Sequence, residues 1–190
     1  MLVLFTHPET FPGEADLLNR MLAEHSELTV HLRKPGWDPV QTAQLLSAID
    51  DTFHQRIVLH RHHELLERYT LKGLHVTADD RRQRPLSPFV LSTSFHSLEE
   101  AVPEGHRFRY FFCSPVFQSI SKPGYTGTEN WDISGQPEEF RVKAIALGGI
   151  ESTTIQQARL KGFRHFAVLG AVWQSGDPET ALRELLSISA

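Results

Sequence analysis

Short apolar runs alternate with stretches of helical periodicity along the whole chain. Leu2–Phe5 is a continuous apolar run of strand length, and Glu14 to Glu24 then sets Leu17, Leu18, Met21 and Leu22 on one helix face. Leu28 to Arg33 alternates, with Leu28, Val30 and Leu32 on one face and Thr29, His31 and Arg33 on the other. A polar face on an otherwise apolar strand must meet water or charge. Asp38-Pro39 supplies an N-cap with proline in the first helical position, Gln41 completes a capping box, and Leu45, Leu46 and Ile49 form the apolar stripe.

The same rhythm continues. Arg56–His60 predicts a third strand, followed by a helix to Thr70 through Leu65, Leu66 and Tyr69; Gly73 then precedes a fourth strand, Leu74-His75-Val76. Ala78 to Pro88 is crowded with Asp79, Asp80, Arg81, Arg82, Arg84 and two prolines, which predicts a loop with solvent-facing charges where a helix is due. Val90–Ser94 is the fifth strand, and Ser97 with Glu100 opens a short helix. Tyr110–Cys113 is the sixth, and it cannot run on through Pro115. A long polar region reaching Glu139, with Gly124, Gly127, Gly135 and Pro137, lacks periodicity, and a closing lid over residues 123 to 141 is one reading of it. Val142–Leu147 is the seventh strand, followed by Gly148-Gly149 and a helix from Thr153 to Lys161. Phe166–Leu169 is the eighth, and Asp177-Pro178 starts the last helix, with Ala181, Leu182, Leu185 and Leu186 inward.

Strands that alternate with crossovers must be parallel, and eight of them close most economically as a (β/α)8 TIM barrel. The expectation is therefore an α/β chain forming a single domain over residues 1–190, with a truncated fourth and an irregular sixth βα unit. An open doubly wound sheet is the alternative, and it has no need of an inward polar face on the second strand.

Composition narrows the chemistry. With 190 residues, 40% of them hydrophobic, the chain can bury one sizeable core. A formal charge of -4 and a pI near 6.2 argue against a nucleic-acid binder. The single cysteine, Cys113, provides no disulfide framework and no zinc cluster of thiolates. No apolar run approaches the length of a membrane span and Met1 to Phe5 lacks the form of a signal peptide, so the expectation is a cytoplasmic protein with no membrane partner. Homo-oligomerisation is left open.

In a TIM barrel, active residues gather at the C-terminal ends of the strands. Those ends carry His31 and Arg33, His60, His75 with Asp80 beyond it, Ser94, the turn Ser119-Ile120-Ser121-Lys122, Gly148-Gly149 and Gly170. Hydroxyls, a compact cation and glycines ahead of helices suit a phosphate or pyrophosphate. His60-Arg61-His62-His63 is a poor metal cluster because adjacent backbone positions rarely converge; His60 is expected inward, with His62 and His63 at a solvated helix start. His96 is read as setting loop geometry, and Trp37, Trp131 and Trp173 either line a ring-binding mouth or pack.

Five fragments in this order resemble the thiamine phosphate synthase family and its relative, the thiazole tautomerase. They are His31-Leu32-Arg33-Lys34; Gly73-Leu74-His75-Val76 leading to Asp80; Ser94-Phe95-His96-Ser97-Leu98-Glu99-Glu100; Ser114-Pro115-Val116-Phe117 through Ser119-Ile120-Ser121-Lys122; and Ala146-Leu147-Gly148-Gly149-Ile150. The resemblance runs over nearly the whole chain. It implies that the pyrophosphate of an aminopyrimidine-methyl pyrophosphate leaves and that the nitrogen of a thiazole phosphate captures the resulting cation. It implies Arg33 and Lys122 as catalytic cations on the pyrophosphate, with Ser119, Ser121 and Ser94 beside them. Gly149 and Gly170 would serve the thiazole phosphate, and Asp80 a magnesium ion. His31, Lys34, His60, Arg61 and His75 complete the expected substrate-binding set. Four places depart from the family or its relative. His60-Arg61 stands where synthases carry Asn-Asp with a magnesium-binding Asp, so Arg61 either supplies charge in the metal's place or marks loss of turnover. His31 replaces a Gln, and Lys34-Pro35 shifts a lysine by one residue. Pro115 occupies the place of the tautomerase's catalytic His, which leaves His31 and His75 as candidate proton carriers.

Overall fold

The computed structural model describes residues 1–83, 86–117 and 131–189. Eight parallel strands form a closed barrel in sequential order: β1 (Leu2–Phe5), β2 (Thr29–Leu32), β3 (Ile57–Leu59), β4 (Gly73–Val76), β5 (Val90–Phe95), β6 (Tyr110–Cys113), β7 (Ala144–Leu147) and β8 (His165–Val168). Closure is made by β1 against β8, with Leu4 opposite Val168. An open sheet is therefore ruled out. Around the barrel run α1 (Glu14–Glu24), α2 (Pro39–Ala48), α3 (Ala78–Gln83), α4 (Leu98–Glu104), α5 (Glu138–Arg141), α6 (Ile155–Leu160), α7 (Gly170–Trp173) and α8 (Pro178–Ser189).

Period-two alternation divides the apolar residues into two shells. Leu2 and Leu4, Leu28, Val30 and Leu32, Phe111 and Cys113 face outward under the helices, in one cluster with Leu18, Leu46, Ile155 and Leu182. Val3, Phe5, Tyr110, Phe112, Ile145 and Ala167 form a separate inner cluster contributed by β1, β6, β7 and β8. The inner face of β2, β4 and β5 is polar instead: Thr29, His31, His75 and Ser92 are all buried. Inside the cylinder an apolar half thus meets a polar half. Phe5 and His60, and Phe112 and His31, meet edge to face at centroid distances of 5.3 and 5.0 Å.

Three units differ from the sequence expectation. After β3 there is only a 3-10 turn, His63–Glu67, entered through His62 in the left-handed region, where a full helix to Thr70 was expected. Leu65 alone of that turn is buried, so one turn covers the β3–β4 surface. The stretch expected as a loop after β4 starts as the short helix α3, because Thr77 and Asp80 form a reciprocal cap: Thr77 Oγ1 donates to Asp80 Oδ2 at 2.8 Å and accepts from Asp80 N at 3.2 Å. Arg81, expected in solvent, is 7% exposed: it donates to Thr93 Oγ1 and the Ser94 carbonyl at 3.0 Å and lies over the Phe95 ring. In the sixth unit, Trp131 and Ile133 are core residues rather than part of a lid, and Trp173 packs with its Nε1 donating to the Phe5 carbonyl at 2.6 Å. Residues 118–130, the other part of that region, lie outside the described residues.

One ion pair stitches the outer shell to the mouth of the barrel. Lys34 Nζ donates to both oxygens of Glu14 at 2.6 Å, with side chains 1% and 4% exposed. Burial lowers the Lys34 pKa and raises that of Glu14, against the pull of the pair itself. Removing one partner strands a buried charge, which costs about 3–5 kcal/mol. Lys34→Met is expected to lower the unfolding free energy by that amount in urea titration, and Lys34→Met/Glu14→Met to recover much of it.

Candidate active site

A chamber of about 450 Å³ opens at the C-terminal end of the barrel. One wall is built from the ends of β2 to β5: Arg33, His60, His75 and Ser94. The opposite wall comes from β7 and β8: Gly148, Gly149 and Gly170, with Phe5 and Leu169 between them. Each position has a local cause. Thr6 pins the backbone of Arg33 by accepting from its N–H at 3.0 Å and donating to its carbonyl at 3.1 Å. His60 N donates to the Leu32 carbonyl at 3.2 Å, which extends the β2–β3 ladder by one residue and aims the imidazole inward. Gly148 has φ +95°, and a Cβ there would meet Pro115 Cβ at 2.8 Å, so only glycine lets β6 and β7 approach this closely. The carbonyls of Leu147 and Gly148 accept from Val116 and Phe117 N–H at 2.9 and 3.0 Å, which fastens the start of the loop after β6 beside the glycine turn. His96, on the rim, bonds the Ser114 carbonyl through Nδ1 at 2.8 Å, the geometry-setting role expected of it.

Below the chamber floor the polar half of the barrel is one hydrogen-bonded network. Tyr110 Oη and His31 Nε2 are 2.8 Å apart, His31 Nδ1 and His60 Nε2 2.9 Å, and His75 Nδ1 and Ser92 Oγ 2.9 Å. His60 and His75 stack with centroids 4.1 Å apart. Burial holds all three imidazoles below their ordinary pKa, His75 at about 3, and their mutual proximity and that of Arg33 add to the effect. The rings are neutral at pH 7. Burial raises the Tyr110 phenol likewise. Arg33 is exposed at the chamber wall and forms no ion pair among the described residues. It is a permanently charged fork, open to an anion.

The structure thus brings together Arg33, His60, His75, Ser94, Gly149 and Gly170, with His31 directly beneath them. Among the described residues, Lys34, Arg61 and Asp80 do not line this chamber. Lys34 and Arg61 line an adjoining cavity of about 180 Å³ that shares Arg33 and His60 with the first, and the Lys34 ammonium is already committed to Glu14. Asp80 is committed to its cap with Thr77. Ser119, Ser121 and Lys122 lie outside the described residues. Tyr110 and Ser92 were missed as site residues; the signal available was the i, i+2 spacing that puts Tyr110 with Phe112, and Ser92 with Ser94, on one strand face.

Fold and site together define a (β/α)8-barrel protein with a small-molecule chamber in the barrel mouth. A family model described as thiamine monophosphate synthase matches residues 2–172, and the chain belongs to that family. Among curated relatives, thiamine-phosphate synthases of Synechococcus sp. strains WH7803 and CC9311 are 28% and 29% identical over 98% and 100% of the chain. The chain spans 56% and 57% of their lengths, little more than half. The crystal structure of thiamine phosphate pyrophosphorylase from Bacteroides thetaiotaomicron superposes with TM-score 0.81 at 27% identity, covering 100% of this chain and 96% of that one. The Pyrococcus furiosus thiamine phosphate pyrophosphorylase, at TM-score 0.69 and 17% identity over 99% of this chain and 94% of that one, shares the fold. No helix among the described residues is long and apolar enough to cross a membrane.

Histidines held neutral in the fold but free to protonate when unfolded give the unfolded chain more bound protons in acid. Stability is then full above the unfolded histidine pKa of about 6.5 and falls as pH drops towards about 3. Urea unfolding in the presence of EDTA is expected to show this decline, with a slope approaching three protons for His31, His60 and His75.

Proposed function

We propose that the chain joins an aminopyrimidine-methyl pyrophosphate to a thiazole phosphate with release of pyrophosphate, the thiamine phosphate synthase reaction. The observation that carries this reading is the pairing of Arg33, on one chamber wall, with the Gly148–Gly149 and Gly170 backbone on the other, in a member of this family. Two anionic groups need two receptors, and the ring system between them needs an apolar gap such as the one beside Phe5 and Leu169.

In this reading the Arg33 guanidinium receives the negative charge that develops on pyrophosphate as the carbon–oxygen bond breaks. Ser94 donates beside it, and Ser119, Ser121 and Lys122 complete the cradle by resemblance. The pyrimidine-methyl cation is held in the apolar gap beside Phe5 and Leu169, where water is displaced, until the thiazole nitrogen attacks. Gly149 and Gly170, at the phosphate position usual for this fold, present backbone N–H groups to the thiazole phosphate. Magnesium finds a poor cradle here. Glu151, the carboxylate on the chamber wall among the described residues, accepts from Thr153 Oγ1 at 2.6 Å, and Asp80 caps α3. By resemblance Arg61, in the adjoining cavity that also contains Arg33, stands where synthases carry a metal-binding Asp and would supply charge there; no step above runs through the ion.

The purified chain given both substrates, with and without magnesium, is expected to form thiamine phosphate. Arg33→Ala is expected to lower kcat/KM by about 10²–10³-fold, the loss typical of one charge-stabilising donor. Absence of product at high enzyme concentration overturns the reading. A rise in melting temperature with unconsumed ligands would make the chain a binding homologue instead. A second reading, isomerisation of a thiazole phosphate carboxylate, is favoured by the Tyr110–His31–His60 hydrogen-bonded chain, which can carry a proton to the chamber. Solvent-deuterium exchange into the thiazole, lost in His60→Gln, distinguishes it.

A further inference from the structure

One cluster exceeds what the proposed reaction requires. His31, His60 and His75 come from three consecutive strands, and one ring nitrogen of each lies within 4.8 Å of the other two. Three imidazoles packed together without a carboxylate are a costly way to fill a barrel, since apolar side chains fill the other half of the same interior. Their arrangement has a direction. The His31 Nε2 and His75 Nδ1 atoms are occupied by the Tyr110 and Ser92 hydroxyls at 2.8 and 2.9 Å. Of the remaining nitrogens, His31 Nδ1 and His60 Nε2 share one hydrogen at 2.9 Å, and His75 Nε2 makes a long hydrogen bond of 3.4 Å with Ser94 Oγ. Outer hydrogen bonds that fix the tautomer and orientation of inward-facing imidazoles are the usual second shell of a histidine metal site.

We propose that His31, His60 and His75 bind one divalent transition metal ion of the zinc type, with an open coordination position facing the chamber. Three neutral nitrogen ligands from separate strands suit zinc, cobalt or nickel, and they do not suit magnesium, which demands oxygen. Binding needs no net loss of protons. The hydrogen between His31 Nδ1 and His60 Nε2 moves to an outward nitrogen of the same ring, and both inward lone pairs then face the ion. Because the ligands are neutral, the site keeps its double positive charge beside Arg33. The open position therefore takes an anionic oxygen from a carboxylate, a phosphate or a hydroxide.

The proposal is independent of the synthase reading, because binding is measured without substrate. The purified chain, stripped with EDTA, is titrated with Zn²⁺ and with Co²⁺. The expected result is one ion per chain, a raised melting temperature and, for cobalt, the visible absorption of a low-coordinate nitrogen site. His60→Gln is expected to weaken binding by more than about 100-fold and Tyr110→Phe by about 10-fold, since even outer-shell losses cost that much. His106→Gln, at an exposed position, is expected to change nothing. The two site variants are independent, so failure of one to fold leaves the other to decide. Substoichiometric binding, or binding unaffected in both variants, overturns the proposal and leaves the trio as a metal-free hydrogen-bonded relay.

Discussion

A closed cylinder of eight short strands has room for few inward side chains. Any polar group placed there must find its partner among the other inward groups, because a buried donor or acceptor left alone costs about 1–3 kcal/mol. The chain meets this constraint by segregation. Phe5, Phe112 and Ile145 pack one side, while His31, His75, Ser92 and the Tyr110 hydroxyl satisfy one another on the other. The chamber above inherits that asymmetry: charge and imidazole on the β2–β5 wall, backbone and glycine on the β7–β8 wall.

Much of this was legible in the sequence, because the strands are short apolar runs and period two is a strong signal. The alternation of Leu28 to Arg33 separated outward Leu28, Val30 and Leu32 from inward His31, and the barrel order then carried Arg33, His60, His75, Ser94, Gly149 and Gly170 to one mouth. What escaped depends on direction and on short-range competition. Lys34 follows Arg33 directly, yet its side chain turns to Glu14, a residue of α1 that no local pattern links to it. Arg81 sits in a helix of six residues, too short to establish a periodic face, and its burial depends on Thr93 and Phe95 from the neighbouring strand. Leu65, Leu66 and Tyr69 fit a helix, but His62 in the left-handed region and a single buried leucine made one 3-10 turn sufficient.

The fold and the site also rank the family's features differently. The carbon–oxygen bond-breaking assigned to this family calls for cations and N–H donors, and the chamber offers both. It does not call for a trio of neutral imidazoles in the floor. Burial keeps the three rings uncharged, and hydroxyls rather than carboxylates hold His31 and His75 in place. A site with this composition is a softer electron donor than an oxygen cage, and that difference separates what the mouth of the barrel holds from what its floor can hold.

The buried bond between Glu14 and Lys34 reaches beyond stability. Glu14 opens α1, on the outside of the barrel, and Lys34 is the next residue after Arg33. The outer helix therefore acts as a tether for the guanidinium. A lesion at Glu14 that touches no ligand would still loosen the anion receptor, and a survey of impaired variants would wrongly count it among the contact residues.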